Sequence, residues 1–198
     1  SVDHEDEILA AWDENALAWT ENLRAGAIRS RKTVTDNAIL AEIGRESAQS
    51  VIDVGCGEGW LTSKLAESHE TVVGVDAVEA LIDQARQSGR GQFRVMTYDK
   101  IDEAFSPGAF DLAVCNFSLI GESSTIQCLS SLRRVLSANG TLVIQTLHPW
   151  TAQPSSGYQS GWASGSWDGC GSGFGRPAPW YFRTLSDWLG TLAAHGFM

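Results

Sequence analysis

From Val51 to Leu147 the chain alternates short, almost continuously apolar runs with amphipathic stretches. The runs are SVIDV (50–54), TVVGV (71–75), QFRVMT (92–97), FDLAVCNF (110–117) and TLVIQTL (141–147). Runs this short and this apolar read as parallel strands covered on both faces. Between them lie WLTSKLAES, VEALIDQARQS and STIQCLSSLRRVLSA. In the last, Ile126, Leu129, Leu132 or Arg133, and Leu136 recur at helical spacing. Ser123 or Ser124 is placed to cap that helix, and Asn139-Gly140 predicts its stop. Alternation of this kind predicts an α/β fold: a doubly wound, mostly parallel sheet with right-handed crossovers.

The flanks follow other patterns. Residues 5–23 and 34–47 predict helices, with Trp12 and Trp19 on one face, two turns apart. The stretch from Gly157 to Gly175 holds seven glycines and four serines, with Trp162 and Trp167 among them. It is too long and too glycine-rich for an ordinary connection, and predicts a functional loop or a lid. SDWLGTLAAHGF (186–197) resumes as an amphipathic helix. The expected organisation is one domain over 1–198: a helical lid (1–48), a core (49–149), a Gly/Trp-rich loop (150–180) and a C-terminal helix (181–198). A sheet ending on TLVIQTL leaves an apolar edge open, so further strands of the native protein are expected beyond this chain.

Composition narrows the partners. With 43% hydrophobic and 19% charged residues, the chain is that of a soluble globular protein, and the cytoplasm is the expected location. No run approaches the roughly 18 apolar residues of a membrane span, and the acidic SVDHEDE start does not suit a signal peptide. Net charge is −10, and the one basic cluster, Arg24 to Lys32, holds four cations in nine residues. That is thin for gripping a phosphate backbone, which disfavours nucleic acid and favours a small acceptor. The four cysteines, Cys56, Cys115, Cys128 and Cys170, show no metal-ligand spacing. No acidic cluster suggests a magnesium site, so no metal is expected.

The chemistry begins at VIDVGCGEGW (51–60), where a strand runs into Gly55, Gly57 and Gly59 and then a helix. Such a turn aims backbone N–H groups into the crevice at the strand ends, and glycine lets a ligand come close. The spacing is G-x-G-x-G with Trp60 following, not the dinucleotide G-x-G-x-x-G, which weakens a nicotinamide oxidoreductase reading. Asp53, inside the first strand, is placed to meet a cationic amino group, directly or through water. Asp76, seventeen residues after Gly59, is placed to accept from both hydroxyls of a ribose. A ribose, an adenine and an amino-acid tail together describe S-adenosylmethionine.

The segments VIDVGCGEGWL, VVGVD, FDLAVCNFSLIGE and LRRVLSANGTLVIQTLHP resemble the successive motifs of class I S-adenosylmethionine-dependent methyltransferases over about residues 50–149. The flanks resemble a bacterial small-molecule-type branch. The resemblance implies strand order 3-2-1-4-5-7-6, with the last two strands following Gly196. It places Gly55, Cys56 (through its backbone) and Gly57 at the methionine part, with Asp53 near the amino group. Asp76 is then the ribose acid, and Ala77 lies beside the adenine. Asp99 or Tyr98 stands at the third-strand position, and Asn116 and Phe117 lie by the methyl donor.

Three further expectations concern the acceptor. His148, at the end of the fifth run, is placed to act as a general base or to shape the turn before Pro149. Arg31 is a candidate for the cofactor carboxylate or an anionic substrate. Trp162 and Trp167 are candidates for lining the substrate pocket. Besides methyl transfer to a small molecule, a non-catalytic cofactor-binding protein and an RNA methyltransferase remain open, and a homodimer is allowed.

Overall fold

The structure is a computed structural model that describes residues 3–197. Its centre is a five-stranded parallel sheet of β1 (Ser50–Val54), β2 (Thr71–Asp76), β3 (Gln92–Val95), β4 (Phe110–Asn116) and β5 (Leu136–Gln145). The strand order is β3-β2-β1-β4-β5. The central strand β1 is buried from Val51 to Val54 because both neighbours and both faces enclose it. Ile52 pairs with Val73 on one side and Ala113 on the other.

Strand alternation sorts the core onto two faces. Val51, Val72, Leu112, Val114 and Val143 face α2 (Asp36–Ile43) and α3 (Trp60–Leu65), meeting Ile39, Ile43, Leu61 and Leu65. Ile52, Val54, Val73, Val75 and Ala113 face α5 (Ile101–Ala104) and α6 (Ser123–Val135), meeting Ile101, Leu132 and Val135. The helix α1 (His4–Arg24) packs on α4 (Glu79–Ser88), where Ala16 meets Val78 and Leu81. Among the described residues no helix is long and apolar enough to cross a membrane.

Four local expectations are corrected. The sixth helix stops at Val135, ahead of Asn139-Gly140, because Leu136 leaves the helix to pair with Phe110 and bury itself. The register then slips until Thr141 pairs with Leu112. Neither Ser123 nor Ser124 caps that helix. Glu5 of α1 does, its carboxylate accepting from the Ser123 N–H at 2.8 Å and the Ser124 N–H at 3.3 Å. The helix expected from residue 34 begins as a π-helical turn over Arg31–Thr35. The Gly/Trp-rich segment carries a short antiparallel ribbon, β6 (Gly161–Ala163) with β7 (Trp180–Phe182), before α7 (Leu185–Ala194).

Candidate functional site

The three glycines of the first turn have different neighbours. All have positive φ, at 71°, 57° and 86°. A side chain at Gly55 would collide with Ser118, and one at Gly59 would meet Phe93 at 2.7 Å and Ala85 at 2.8 Å. Gly59 therefore provides the close helix–strand packing for which the dinucleotide motif uses a later glycine. A Cβ at Gly57 meets only the Trp19 indole nitrogen, at 3.8 Å. Two glycines are packed, and one opens onto space.

The acids follow the same division. Asp76 accepts from the Gly57 N–H and the Val78 N–H, both at 2.9 Å, so it fastens the open glycine to the end of β2. Burial raises its pKa, and the N–H groups of Val78 and Gly57 pull the other way. Asp53 is not at the mouth of the crevice. It is 1% exposed and turned toward α3, accepting from the Thr62 hydroxyl at 2.7 Å. Burial lifts its pKa to about 7, against the Thr62 hydrogen bond. Cys56 lies in the turn, and burial pushes its thiol pKa well up.

At the third strand, Tyr98 turns inward and Asp99 outward. The Tyr98 hydroxyl donates to the Ser118 carbonyl at 2.8 Å, while Asp99 is half-exposed near Lys100. Beyond β4, the Asn116 side chain accepts from Gln145 at 2.7 Å, and the same Gln145 amide donates to the Thr35 carbonyl at 3.1 Å. Phe117 sits at φ 54°, a left-handed conformation that costs a bulky residue about 1–2 kcal/mol. Its N–H donates to the Gln145 carbonyl at 2.8 Å, which helps hold that strained backbone. Gln145 is the residue sequence reasoning missed, although a lone amide in the apolar TLVIQTL run was a signal.

Beside the turn, α1 meets the Gly/Trp-rich segment. Trp12 contacts Trp19 edge-on at 5.1 Å and Trp167 at 5.3 Å, and Trp167 stacks on Phe174 at 4.5 Å. This cluster covers Val78 and Leu81, next to Ala77. Two asparagines of α1 bind the Gly/Trp-rich segment through its backbone. Asn15 accepts from the Gly175 N–H at 2.7 Å and donates to the Arg176 carbonyl at 3.0 Å. Asn22 accepts from the Ser172 N–H at 3.2 Å and donates to the Ser172 carbonyl at 2.7 Å. Gly171 is required here, since a Cβ on it would overlap the Asn22 carboxamide.

The other candidates scatter. Trp162 does not join Trp167; it lies on β6 between His4, at 4.6 Å, and Tyr181, at 5.4 Å. Arg31 pairs with Asp36 at 2.8 Å and lies over the Trp60 ring at 4.8 Å. With Arg24, Lys32 and Glu58 it lines a cleft of about 280 Å³ beside the turn. Glu58, also unforeseen, accepts from the Trp60 N–H at 3.0 Å at the start of α3. His148 is exposed, and its Nδ1 accepts from the Trp150 N–H at 3.3 Å. That contact helps to shape the turn around Pro149.

Among the described residues, four buried side-chain polar atoms lack a partner: Trp12 Nε1, Thr35 Oγ1, Ser118 Oγ and Trp167 Nε1. Ser118 adjoins Gly55, Thr35 shares Gln145 with Asn116, and the two indoles belong to the aromatic cluster. An unmet buried donor or acceptor costs about 1–3 kcal/mol, so such groups call for a partner from outside the chain, water or ligand.

Residues 45–163, more than half of the chain, match the family described as a methyltransferase domain. The chain belongs to the class I S-adenosylmethionine-dependent methyltransferases. Within that family, a malonyl-[acyl-carrier protein] O-methyltransferase of Legionella pneumophila is 34% identical over 105 residues, covering 51% of this chain and 37% of that protein. The chain spans less than two thirds of the length of several curated relatives that it matches. An S-adenosylmethionine dependent methyltransferase from Mesorhizobium loti shares the fold with a TM-score of 0.58 at 23% identity, covering 75% of this chain and 74% of that one. Geranyl diphosphate C-methyltransferase from Streptomyces coelicolor A3(2), crystallised with Mg²⁺, geranyl diphosphate and S-adenosyl-L-homocysteine, shares it at 0.55 and 20% identity, over 74% and 52% of the two chains. The strand order seen here is the methyltransferase order as far as β5. The open Gly57 and the unpaired polar atoms fit the family's methyl donor.

Proposed function

We propose that this methyltransferase domain binds S-adenosylmethionine across the carboxyl ends of β1, β2 and β4 and serves methyl transfer to a small-molecule acceptor under the lid. The observation that carries this reading is the glycine turn after β1, where Gly57 opens onto space, its N–H is held by Asp76, and the unpaired Ser118 hydroxyl adjoins Gly55. When bound, the cofactor supplies a methyl group already activated on a sulfonium.

The chain's own residues then bind, orient and exclude water. Asp76 takes the ribose hydroxyls, with Gly57 giving close approach to the backbone and Ala77 flanking the adenine. Asn116, Phe117, Ser118 and Thr35 surround the methionine part, and Arg31 lies in the cleft that would receive its carboxylate. Gln145 holds Asn116 and the π-helical turn in one geometry, which is the kind of orientation that methyl transfer needs. The Trp12–Trp19–Trp167 cluster shuts water out from above. No proton transfer is assigned to His148. A net charge of −10 favours a small acceptor over RNA.

Calorimetric titration with S-adenosylmethionine, S-adenosylhomocysteine and NADH tests the cofactor. Binding of the first two and not the third is the expected result, followed by an acceptor screen read as S-adenosylhomocysteine release. NADH binding alone would overturn the reading. Tight cofactor binding with no release across acceptors would leave a binding protein without turnover.

A further inference from the structure

Arg183 follows β7 and is 3% exposed. Among the described residues no carboxylate lies within ion-pairing distance of it. Its terminal nitrogens donate to the carbonyls of Gly121 at 3.0 Å and Glu122 at 2.9 Å. The guanidinium lies over the Tyr181 ring at 4.8 Å and the Trp188 ring at 5.2 Å. Burial pulls its pKa down, and Asp187, Tyr181, Glu122 and Glu5 push back from a distance.

Burying an unpaired cation costs several kcal/mol. Carbonyls and aromatic faces return part of that, but a tie to two carbonyls needs donors, not charge. A neutral amide could make the same tie. The aromatic faces use the charge, but the Nε–H and the remaining terminal N–H groups have no hydrogen-bond partner among the described residues, and the surroundings show where an anion fits. Arg183 lines a small cavity with Leu119 beyond β4, Thr146 and Leu147 beyond β5, and the aromatic walls Trp180 and Trp188. This is the carboxyl edge of the sheet, the same edge as the glycine turn. The cavity is about 20 Å³. A site needs roughly 10–15 Å³ to hold one water, so this one has room for a single small polar group, such as the end of a carboxylate.

Resting on the methyltransferase reading above, we propose that Arg183 selects the acceptor: it binds the carboxylate of an apolar or aromatic acid whose body lies against Leu119, Leu147 and Trp180. The Nε–H and the remaining terminal N–H groups, which make no hydrogen bond within the protein, are the donors. The guanidinium edge matches a carboxylate in a way that a lysine ammonium does not.

The test uses the ¹⁵N-labelled 198-residue chain and the Arg183 Nε–H resonance, titrated separately with benzoate, benzyl alcohol and inorganic phosphate at millimolar concentration. Benzoate shifts the resonance saturably, and the alcohol and phosphate leave it in place. The proposal is overturned if benzoate moves nothing, if the alcohol acts equally, or if phosphate acts as strongly. Arg183→Lys weakens benzoate binding by at least about tenfold, the loss expected for charged hydrogen bonds, and leaves S-adenosylhomocysteine affinity unchanged. Loss of both ligands together would make Arg183 only a tie for the turn after β4, and would also overturn the proposal. Should Arg183→Lys fail to fold, the titration of the unmodified chain decides. S-adenosylhomocysteine titrated into the same sample separates the two readings. Cofactor binding without benzoate binding removes only the acceptor proposal, and benzoate binding without cofactor binding removes the methyltransferase reading and the acceptor role with it, leaving only a carboxylate site.

Discussion

Asp53 and Gly57 stand four positions apart and predict opposite kinds of response. The Asp53 carboxyl keeps its proton in the folded chain up to about pH 7, whereas the unfolded chain releases it near 3.8. Between those values the native state binds the extra proton, so stability is fully present below the lower one and falls as pH rises toward 7. Asp76 and Glu58, also raised by burial, add slope of the same sign, while Asp111, lowered by the N–H groups of Gln49 and Ser50, acts with the opposite sign only at pH below about 3.8. Urea unfolding from pH 4 to 8 is expected to show that decline, and Asp53→Asn should flatten it. A slope unchanged in Asp53→Asn would move the titrating group elsewhere. Gly57→Ala places a methyl in the open space above the turn. It should cost about 1–2 kcal/mol of stability for the positive φ, yet reduce S-adenosylhomocysteine affinity more than tenfold by calorimetry. Asp76→Ala removes two charge-assisted acceptors and should weaken the same ligand by about a hundredfold. Unchanged affinity in a folded Asp76→Ala protein would refute the ribose assignment.

Between elements, the decisive contacts join α1 to the Gly/Trp-rich segment. Removing both carboxamides, as Asn15→Ala with Asn22→Ala, leaves the backbone of residues 172–176 without its side-chain partners. Amide exchange across that stretch should quicken, and S-adenosylhomocysteine should dissociate faster, while the sheet amides keep their protection. Exchange that stayed slow would mean the aromatic cluster alone holds the lid. These contacts also show where sequence reading ended. The five strands were legible because burial on both faces writes itself as local apolar runs, and Asp76 because a strand end and a glycine turn fix its place. Asn15 and Asn22 were not, because their partners lie 160 and 150 residues away and nothing local distinguishes them from any helix asparagine. The early end of α6 was hidden for the same reason: Leu136 answers to Phe110 across the sheet, and helical spacing cannot show that. Asp53 was read at the crevice because alternation along β1 was not followed to the face that Thr62 occupies.

For the molecule as a whole, the binding mode proposed above would set the ligand between the sheet and a roof held by side-chain-to-backbone bonds. Ligand binding should therefore stabilise the whole fold. S-adenosylhomocysteine at a hundred times its dissociation constant is expected to add about 2.7 kcal/mol to unfolding, with NADH adding nothing, as read by thermal or urea denaturation. The roof also reaches across to α6, whose first N–H groups have no partner in their own helix and depend on Glu5, 118 residues earlier. During synthesis that carboxylate leaves the ribosome long before the helix that it completes. The helix end then stays frayed until the first and middle parts of the chain have met. In the finished protein the same bond couples the two ends of the fold: anything that displaces Glu5 uncaps the helix that follows β4, and a lesion at residue 5 is felt at residue 123.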